Sequence, residues 1–202
     1  MTPADSPRSH RPADAPEDRA AHGPVADVSV RTGRAGDVAA VGDVQAAVWR
    51  EAYGGVLAPA VVERFEPAAF AQVWQDALQS PPSPRHRLLV ASAGPQVVGF
   101  VALGPSADPD ATERDGELLA LGVHPAHRRS GHGSRLLNAA VDTLRVGDFQ
   151  RCRAWVLASD EPTRGFLAAA GLGPDGAFRD RVVDPDGSVT REVRLVADLA
   201  EP

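Results

Sequence analysis

The spacing of apolar and polar positions changes along the chain, and each spacing predicts an element. Alternation over 28–30 predicts a short strand. Apolar positions three and four apart then predict a helix that Asp37 caps and that ends at the glycine pair 54–55. Shorter helical stretches are predicted over 61–65 and 70–78.

The second half of the pattern predicts a sheet with two more helices. Two β-rich runs, 87–91 and 96–103, are joined by a turn at 92–95 and predict a hairpin. A polar loop over 104–116 precedes a central strand over 117–123. Further strands are predicted at 151–157, 178–183 and 189–196, with helices after residue 134 and after Asp160. The order β-α-α-β-β-β-α-β-α-β-β predicts an α/β (α+β) fold, a mixed sheet with helices packed on it.

The first 26 residues differ from the rest. They contain five prolines and no Leu, Phe, Trp or Tyr. Such a segment buries too little apolar surface to offset the entropy of ordering. We therefore expect a disordered tail over 1–26 and a single domain over 27–202.

Composition narrows the class of protein. A net charge of −6 argues against a general nucleic-acid binder, and no apolar run approaches the roughly 18 residues that span a membrane. The single cysteine, Cys152, excludes an internal disulfide and suits a reducing cytoplasm. Since Cys152, Ala154 and Val156 lie on one face of a predicted strand, Cys152 is interpreted as a buried core thiol. All 21 basic residues are arginine, so a phosphate loop or a Schiff base that needs lysine is excluded.

The segment with the most chemical content is Arg128-x-x-Gly131-x-Gly133 between a strand and a helix. Glycines allow a sharp turn and close approach to a ligand. Amides at the start of a helix point outward together and favour an anion, here predicted to be a pyrophosphate. A dinucleotide fingerprint would have glycine where Arg128 stands and would follow the first strand, so a nicotinamide site is disfavoured.

These residues resemble the GNAT superfamily of acyl-CoA N-acyltransferases over about 28–196. The resemblance rests on Leu121-Gly122-Val123-His124-Pro125, the Arg128–Gly133 loop and Leu136-Leu137. It extends through Trp155-Val156-Leu157, Phe166 and Ala170-Gly171-Leu172, and through Trp49-Arg50-x-Ala52-Tyr53 near the start.

The resemblance implies a mixed, mostly antiparallel sheet flanked by helices, and acetyl-CoA as co-substrate. The pyrophosphate would bind the loop formed by Arg128, Arg129, Ser130, Gly131, His132, Gly133 and Ser134. The pantetheine arm would lie where the strand ending at Val123 diverges from the strand 151–157. Backbone groups of Leu121 and Val123 would hold the arm and polarise the thioester, with Asp160 and Phe166 as further cofactor contacts. An amine would then attack directly in a ternary complex.

The resemblance also suggests which group removes the amine's proton. Glu117 stands where some members keep a carboxylate base; the alternative is a solvated carboxylate at a strand edge. Many members have asparagine at the position of Asp160, and a tyrosine that protonates the thiolate at the position of Leu167. Leucine cannot donate that proton.

Other candidate residues have two interpretations each. Trp49 and Tyr53 form either a core stripe or a wall of the acceptor pocket. The acidic loop over 108–115 is either solvated or attracts a cationic amine. The histidines over 124–132 match no known zinc spacing and are interpreted as solvated loop residues, so no metal is expected.

The sequence therefore predicts a cytoplasmic N-acetyltransferase that uses acetyl-CoA and a small-molecule or peptide amine. The alternative is a non-catalytic acyl-CoA-binding module on the same fold, which Leu167 motivates. No nucleic-acid or membrane partner is expected. The acceptor and the oligomeric state stay open, although homodimers are common among members of this superfamily.

Overall fold

The computed structural model of the chain describes residues 28–182, 187 and 189–199. The tail predicted to be disordered, 1–26, lies outside the described residues, as does most of the predicted turn 184–187.

Helices and strands follow one another in nearly the predicted order, with α1, α2 and α3 between the first strand and the hairpin. The helices of the described residues are α1 (Val38–Tyr53), α2 (Pro59–Val62), α3 (Pro67–Gln79), α4 (His132–Val146) and α5 (Glu161–Ala169), with short 3-10 turns at Ala35–Asp37 and Pro125–His127. The strands are β1 (Val28–Thr32), β2 (Arg87–Ala93), β3 (Gln96–Pro105), β4 (Asp115–Val123), β5 (Arg151–Leu157), β6 (Gly173–Val182) and β7 (Val189–Asp198). None of the described helices is long and apolar enough to cross a membrane.

The described strands form one sheet in the order β1-β2-β3-β4-β5-β7-β6. Strands β4 and β5 pair in parallel, and every other neighbouring pair is antiparallel. The prediction of a mixed, mostly antiparallel sheet flanked by helices is confirmed.

Apolar side chains form a core on each face of the sheet. On one face α4 and α5 pack over the centre, with Leu136, Ala140 and Leu144 fully buried. On the other face α1 and α3 cover β2 and β3 around Val41 and Phe100. The predicted inward face of α4 and the buried thiol of Cys152 are both confirmed.

The start of α1 differs from the prediction. Asp37 lies in the 3-10 turn, and its side chain makes no capping bond to α1. Its carboxylate instead accepts bonds from the Arg31 guanidinium at 2.6 and 2.7 Å and from the Arg34 amide at 2.8 Å. The hydrogen bond from Arg31 holds the pKa of Asp37 below its usual value. Sequence periodicity could not show this, because the preferred partner comes from β1.

Candidate active site

The loop between β4 and α4 ends in a left-handed glycine. Gly131 immediately precedes α4 and has a φ of 79°, which glycine adopts without steric cost. The first amides of α4 have no intrahelical acceptor and lie at the positive end of the helix dipole. Arg129, Ser130 and Ser134 are exposed around them. This geometry fits a diphosphate, as the sequence predicts.

Gly133 keeps space open in the first turn of α4. A Cβ built there would lie 3.4 Å from Cζ of Phe166 and 3.8 Å from Cγ2 of Val123. Phe166 therefore lies beside the loop, and it also packs on the core under α4. The apolar ring of Phe166 therefore lies next to the glycine loop, where the sequence predicts a cofactor contact.

Arg128 connects the loop to α1. Its Nη1 donates to Oε1 of Glu51 at 2.7 Å, and its Nε donates to the Val123 carbonyl at 3.2 Å. The side chains of Arg128 and Glu51 are 40% and 54% exposed, and such an ion pair contributes little net free energy. Arg128 can therefore exchange this partner for a phosphate at small cost.

His132 does not match the prediction of a solvated histidine. It is 3% exposed, and its Nδ1 has no hydrogen-bond partner among the described residues. Burial lowers the pKa of the imidazole, and the nearby charge of His127 lowers it further. A neutral His132 adds no positive charge to the loop, which leaves amides and arginines as the anion-binding groups. No group of three or more metal-ligating side chains is found in the described part of the chain.

Strands β4 and β5 diverge beside this loop. They pair from Asp115–Arg151 only as far as Leu118–Ala154, although both strands continue. The His124 amide donates to the Val98 carbonyl of β3 at 2.9 Å. Because successive backbone groups of a strand point to alternate sides, those of Leu121 and Val123 face the gap toward β5. The gap therefore presents backbone groups at the two positions predicted to hold the pantetheine arm.

Glu117 projects from β4 on the face opposite α4. A Cβ on the neighbouring Gly116 would point at Leu144 of α4, so the next side chain points the other way. Glu117 is only 9% exposed, and it accepts a 2.8 Å hydrogen bond from the Ser106 hydroxyl. It is therefore a buried carboxylate, and the alternative of a solvated strand-edge group is wrong.

The environment of Glu117 raises its pKa above that of a solvated carboxyl. Burial raises the pKa of the carboxyl and outweighs the opposing hydrogen bond from Ser106, and the charge of Asp108 raises the pKa further. A carboxylate with a raised pKa accepts a proton more readily near neutral pH. The structure thus gives Glu117 the property that a general base needs.

The acidic loop before β4 is bound by arginines of the sheet. Arg153, which is 3% exposed, donates to Asp108 at 3.2 Å, Asp110 at 2.7 Å and Asp115 at 3.0 Å. Arg194 donates to Asp108 at 2.9 Å and to Asp110 at 2.7 Å. Much of the loop is solvent-exposed, as one interpretation expects, but arginines of the sheet already pair with Asp108, Asp110 and Asp115. Attraction of a cationic amine stays a prediction. These aspartates fix the loop that carries Ser106 next to Glu117.

Trp49 and Tyr53 belong to a half-buried aromatic cluster. Ring centroids lie 5.6 Å apart between Trp49 and Tyr53, and 5.1 Å apart between Trp49 and Phe70. Phe65 lies 5.9 Å from Tyr53. Burial raises the pKa of the Tyr53 hydroxyl, and the charge of Glu192 adds to the effect. The cluster is thus a packed, half-buried stripe of aromatic rings.

The structure shows the surroundings of Asp160 and Leu167, the two residues that depart from the superfamily pattern. Asp160 caps α5 by accepting a 3.0 Å bond from the Thr163 amide, so one of its oxygens is engaged. Leu167 is 2% exposed within the core under α4. It therefore has neither the chemistry nor the exposure of a proton donor.

A crevice of about 690 Å³ lies away from these residues. It is lined by side chains around the C-terminal end of α4, among them Arg85, Arg145 and Phe149. The candidate loop lies at the opposite end of that helix. The chemistry described above favours the β4–β5 gap over this crevice as the site.

Sequence reasoning missed the polar half of the sheet face. Charged side chains alternate with apolar ones along β5 and β7 and are buried at Arg153, Glu192 and Arg194. The signal in the sequence for this polar face is the alternation of arginine or glutamate with apolar residues, at a period of two, along both strands. The apolar half of this alternation predicts the core, and the charged half marks the opposite face of the sheet.

Fold and site together define an α/β protein with a split mixed sheet, whose gap begins at a glycine loop suited to an anion. A family model described as acetyltransferase (GNAT) family matches residues 49–172. The chain belongs to this family.

Individual relatives agree with that assignment. A mycothiol acetyltransferase of Parafrankia sp. (strain EAN1pec) is 51% identical over 55 residues, which are 27% of this chain and 15% of that protein. A Salmonella typhimurium protein described as an acetyltransferase, solved with its cofactor acetyl-CoA, has 18% identity, a TM-score of 0.64 and coverage of 87% of this chain and 96% of its own. The PaiA N-acetyltransferase of Thermoplasma acidophilum, in complex with coenzyme A, has 20% identity, a TM-score of 0.63 and coverage of 82% and 97%. At such identities the two structures show the fold.

Proposed function

We propose that the chain is an N-acetyltransferase that transfers the acetyl group of acetyl-CoA to a primary amine of a small molecule or peptide. The observation that carries the proposal is the β4–β5 gap, which begins at the glycine loop and closes at the Leu118–Ala154 pair, one residue from the buried carboxylate of Glu117. Transfer is direct, in a complex that holds both substrates. The acetyl thioester supplies an activated acyl group, and the chain supplies orientation, charge and proton removal.

The loop and the gap hold the co-substrate. Amides of Gly131, His132 and Gly133 and the side chains of Arg128 and Arg129 bind the diphosphate, with Ser130 and Ser134 beside them. The backbone of Leu121 and Val123 binds the amide-rich arm and donates to the acetyl oxygen. The free oxygen of Asp160 accepts from the arm, and Phe166 supplies apolar contact. No metal takes part.

Glu117 removes the proton from the attacking ammonium, directly or through a water. Its pKa lies above the ordinary carboxyl value because it is buried, so proton transfer is easier than to a solvated carboxylate. Trp49 and Tyr53 border the space from which the acceptor approaches. The side chain of Leu167 cannot protonate the departing thiolate. A thiol pKa of about 8.5 makes that thiolate a tolerable leaving group without a proton donor.

The test separates the enzyme from a binding module. Calorimetry with acetyl-CoA measures binding, and release of free thiol against a panel of primary amines measures transfer. The proposal expects binding and an amine-dependent release. Saturable binding with no transfer to any amine would instead support the acyl-CoA-binding module that the buried Leu167 favours. Absence of binding would contradict both.

A further inference from the structure

Two arginines of β6 share one oxygen of a single carboxylate. Arg179 donates from Nε to Oε2 of Glu192 at 2.5 Å, and Arg181 donates from Nη2 to the same oxygen at 3.4 Å. The Glu192 side chain is 8% exposed, whereas those of Arg179 and Arg181 are 39% and 54% exposed. Within 28–182 and 189–199 this is the one carboxylate that pairs with these arginines. Counted over the described residues, the group therefore carries surplus positive charge beside solvent.

The other arginines on this face are already matched. Arg153 pairs with three aspartates, and its side chain is 3% exposed. Arg194 pairs with Asp108, Asp110 and Asp175 and is 10% exposed. Their role in fixing the acidic loop is complete without a ligand. Arg179 and Arg181 differ because they retain both exposure and donor groups.

The surplus charge lies on the same sheet face as Glu117. Arg179 is in register with Glu192, and Glu192 with Leu157 of β5. The Arg179 guanidinium carbon lies 4.3 Å from the centroid of the Trp155 ring, so its charge reaches back over β5, the neighbour of β4. Consistent with this position, the charge of Arg179 lowers the pKa of both Glu117 and Tyr53, against the larger effect of burial.

We propose that Arg179 and Arg181 form a carboxylate-binding subsite and that the acceptor is an amino carboxylate, such as a free amino acid. The inference rests on the proposed function. A guanidinium matches a carboxylate in charge and in its paired donors. An acceptor that carries both groups places its amine at Glu117 and its carboxylate at the β6 arginines. An amine without a carboxylate leaves the surplus charge unmatched.

The experiment compares free amino acids with their C-terminal amides, which lack the carboxylate. Because amidation also lowers the pKa of the amine, rates are compared per unprotonated amine. We expect kcat/KM to be about tenfold or more higher for the acid, the size of one charge-assisted hydrogen bond. Arg181→Gln is expected to reduce this acid-to-amide ratio severalfold, mainly through KM. Arg191→Gln is the matched control, since Arg191 is also 54% exposed and pairs instead with Asp180. It is expected to leave the ratio unchanged.

Four results would overturn the inference. Equal kcat/KM for acids and amides would show that no carboxylate is recognised, while the proposed function would stand. An equal loss of the ratio in both arginine variants would assign the effect to net charge. Titration of the acids and amides into the coenzyme A complex gives a second readout, and equal affinities there would also contradict the subsite. If acetyl-CoA binds but no amine is acetylated, the proposed function itself is wrong and the inference falls with it.

Discussion

The Ser106 hydroxyl donates a 2.8 Å hydrogen bond to Oε2 of Glu117. Ser106 follows the last residue of β3, and its amide donates to the Asp115 carbonyl at 2.8 Å. The loop that the aspartates anchor thus delivers a donor to the carboxylate proposed as the base. This bond stabilises the ionised form of Glu117 and so opposes the effect of burial on its pKa.

Replacing Glu117 tests its role as base. Glu117→Gln keeps the shape and the Ser106 partner but cannot accept the amine's proton. We expect kcat to fall about 100-fold or more, the usual range for a lost general base, with acetyl-CoA affinity retained. The measurement is thiol release with the best amine acceptor. The control is Glu113→Gln, an exposed position in the loop before β4, which should have the activity of the unaltered protein. A comparable loss of kcat in this control would contradict a specific role of Glu117 as base.

Ser106→Ala should change the pH profile. Burial raises the folded-state pKa of Glu117, and activity through a base appears as pH rises through that value. Loss of the Ser106 bond removes a contribution that lowers the pKa, so the acid limb of kcat/KM should move to higher pH. Profiles of the variant and the unaltered protein measure the shift. An acid limb that stays in place would contradict the coupling between these two residues.

Gly131→Asp should abolish binding of acetyl-CoA. The residue has a φ of 79°, and an added Cβ would lie 2.6 Å from Nη1 of Arg135. The new carboxylate would also repel the diphosphate. Gly171→Asp is a matched control, because Gly171 has a φ of 95° and no atom within 4 Å of an added Cβ. Calorimetry should show lost affinity only for Gly131→Asp, and equal affinities would contradict the loop assignment.

The sequence predicted the parts of the fold that follow local rules. The helix after the glycine loop, the hairpin of β2 and β3, and the buried face at Cys152 depend on periodicity and turn residues. Asp37 could not be assigned this way, because its competing partner Arg31 lies on another element. The preference of a side chain for a cap is weak, and a charged partner delivered by the tertiary structure outweighs it.

The glycine loop of the site was predictable from the sequence. The side-chain contacts across the sheet were not. Gly131 and Gly133 marked the loop because few other residues allow its geometry. The contacts of Arg153 with the acidic loop span about forty positions and depend on the pairing of β4 with β5. Register decides which charges meet, and periodicity does not specify register between distant strands.

Cys152 should be inert in the native protein. It is fully buried, and burial raises the pKa of its thiol to about 12, so almost no thiolate forms near neutral pH. We expect iodoacetamide to leave the folded chain unmodified at pH 8 and to alkylate it after denaturation, as read by intact mass. Cys152→Ala should retain acetyl transfer, because direct attack needs no acyl-enzyme. An acetylated Cys152 trapped during turnover would contradict direct attack.

Asp115→Asn should destabilise the fold strongly. Asp115 and Arg153 are 1% and 3% exposed, and their atoms lie 3.0 Å apart, so the variant leaves a buried guanidinium short of one charge. Removing the sole partner of a buried charge costs about 3–5 kcal/mol; because Arg153 keeps Asp108 and Asp110, we expect a loss at or below the lower end of that range.

The comparison is urea unfolding at pH 7, with Asp180→Asn as control because Asp180 and Arg191 form an exposed pair. Although burial alone would raise the pKa of Asp115, bonds from Thr112 and the charge of Arg153 lower it. A lowered folded-state pKa stabilises the fold above the unfolded value of about 3.9 and loses that effect as pH falls through the folded value. The gap in stability between the unaltered protein and Asp115→Asn should therefore narrow below about pH 4. A stability difference that stays constant with pH would show that Asp115→Asn destabilises the fold through packing rather than charge.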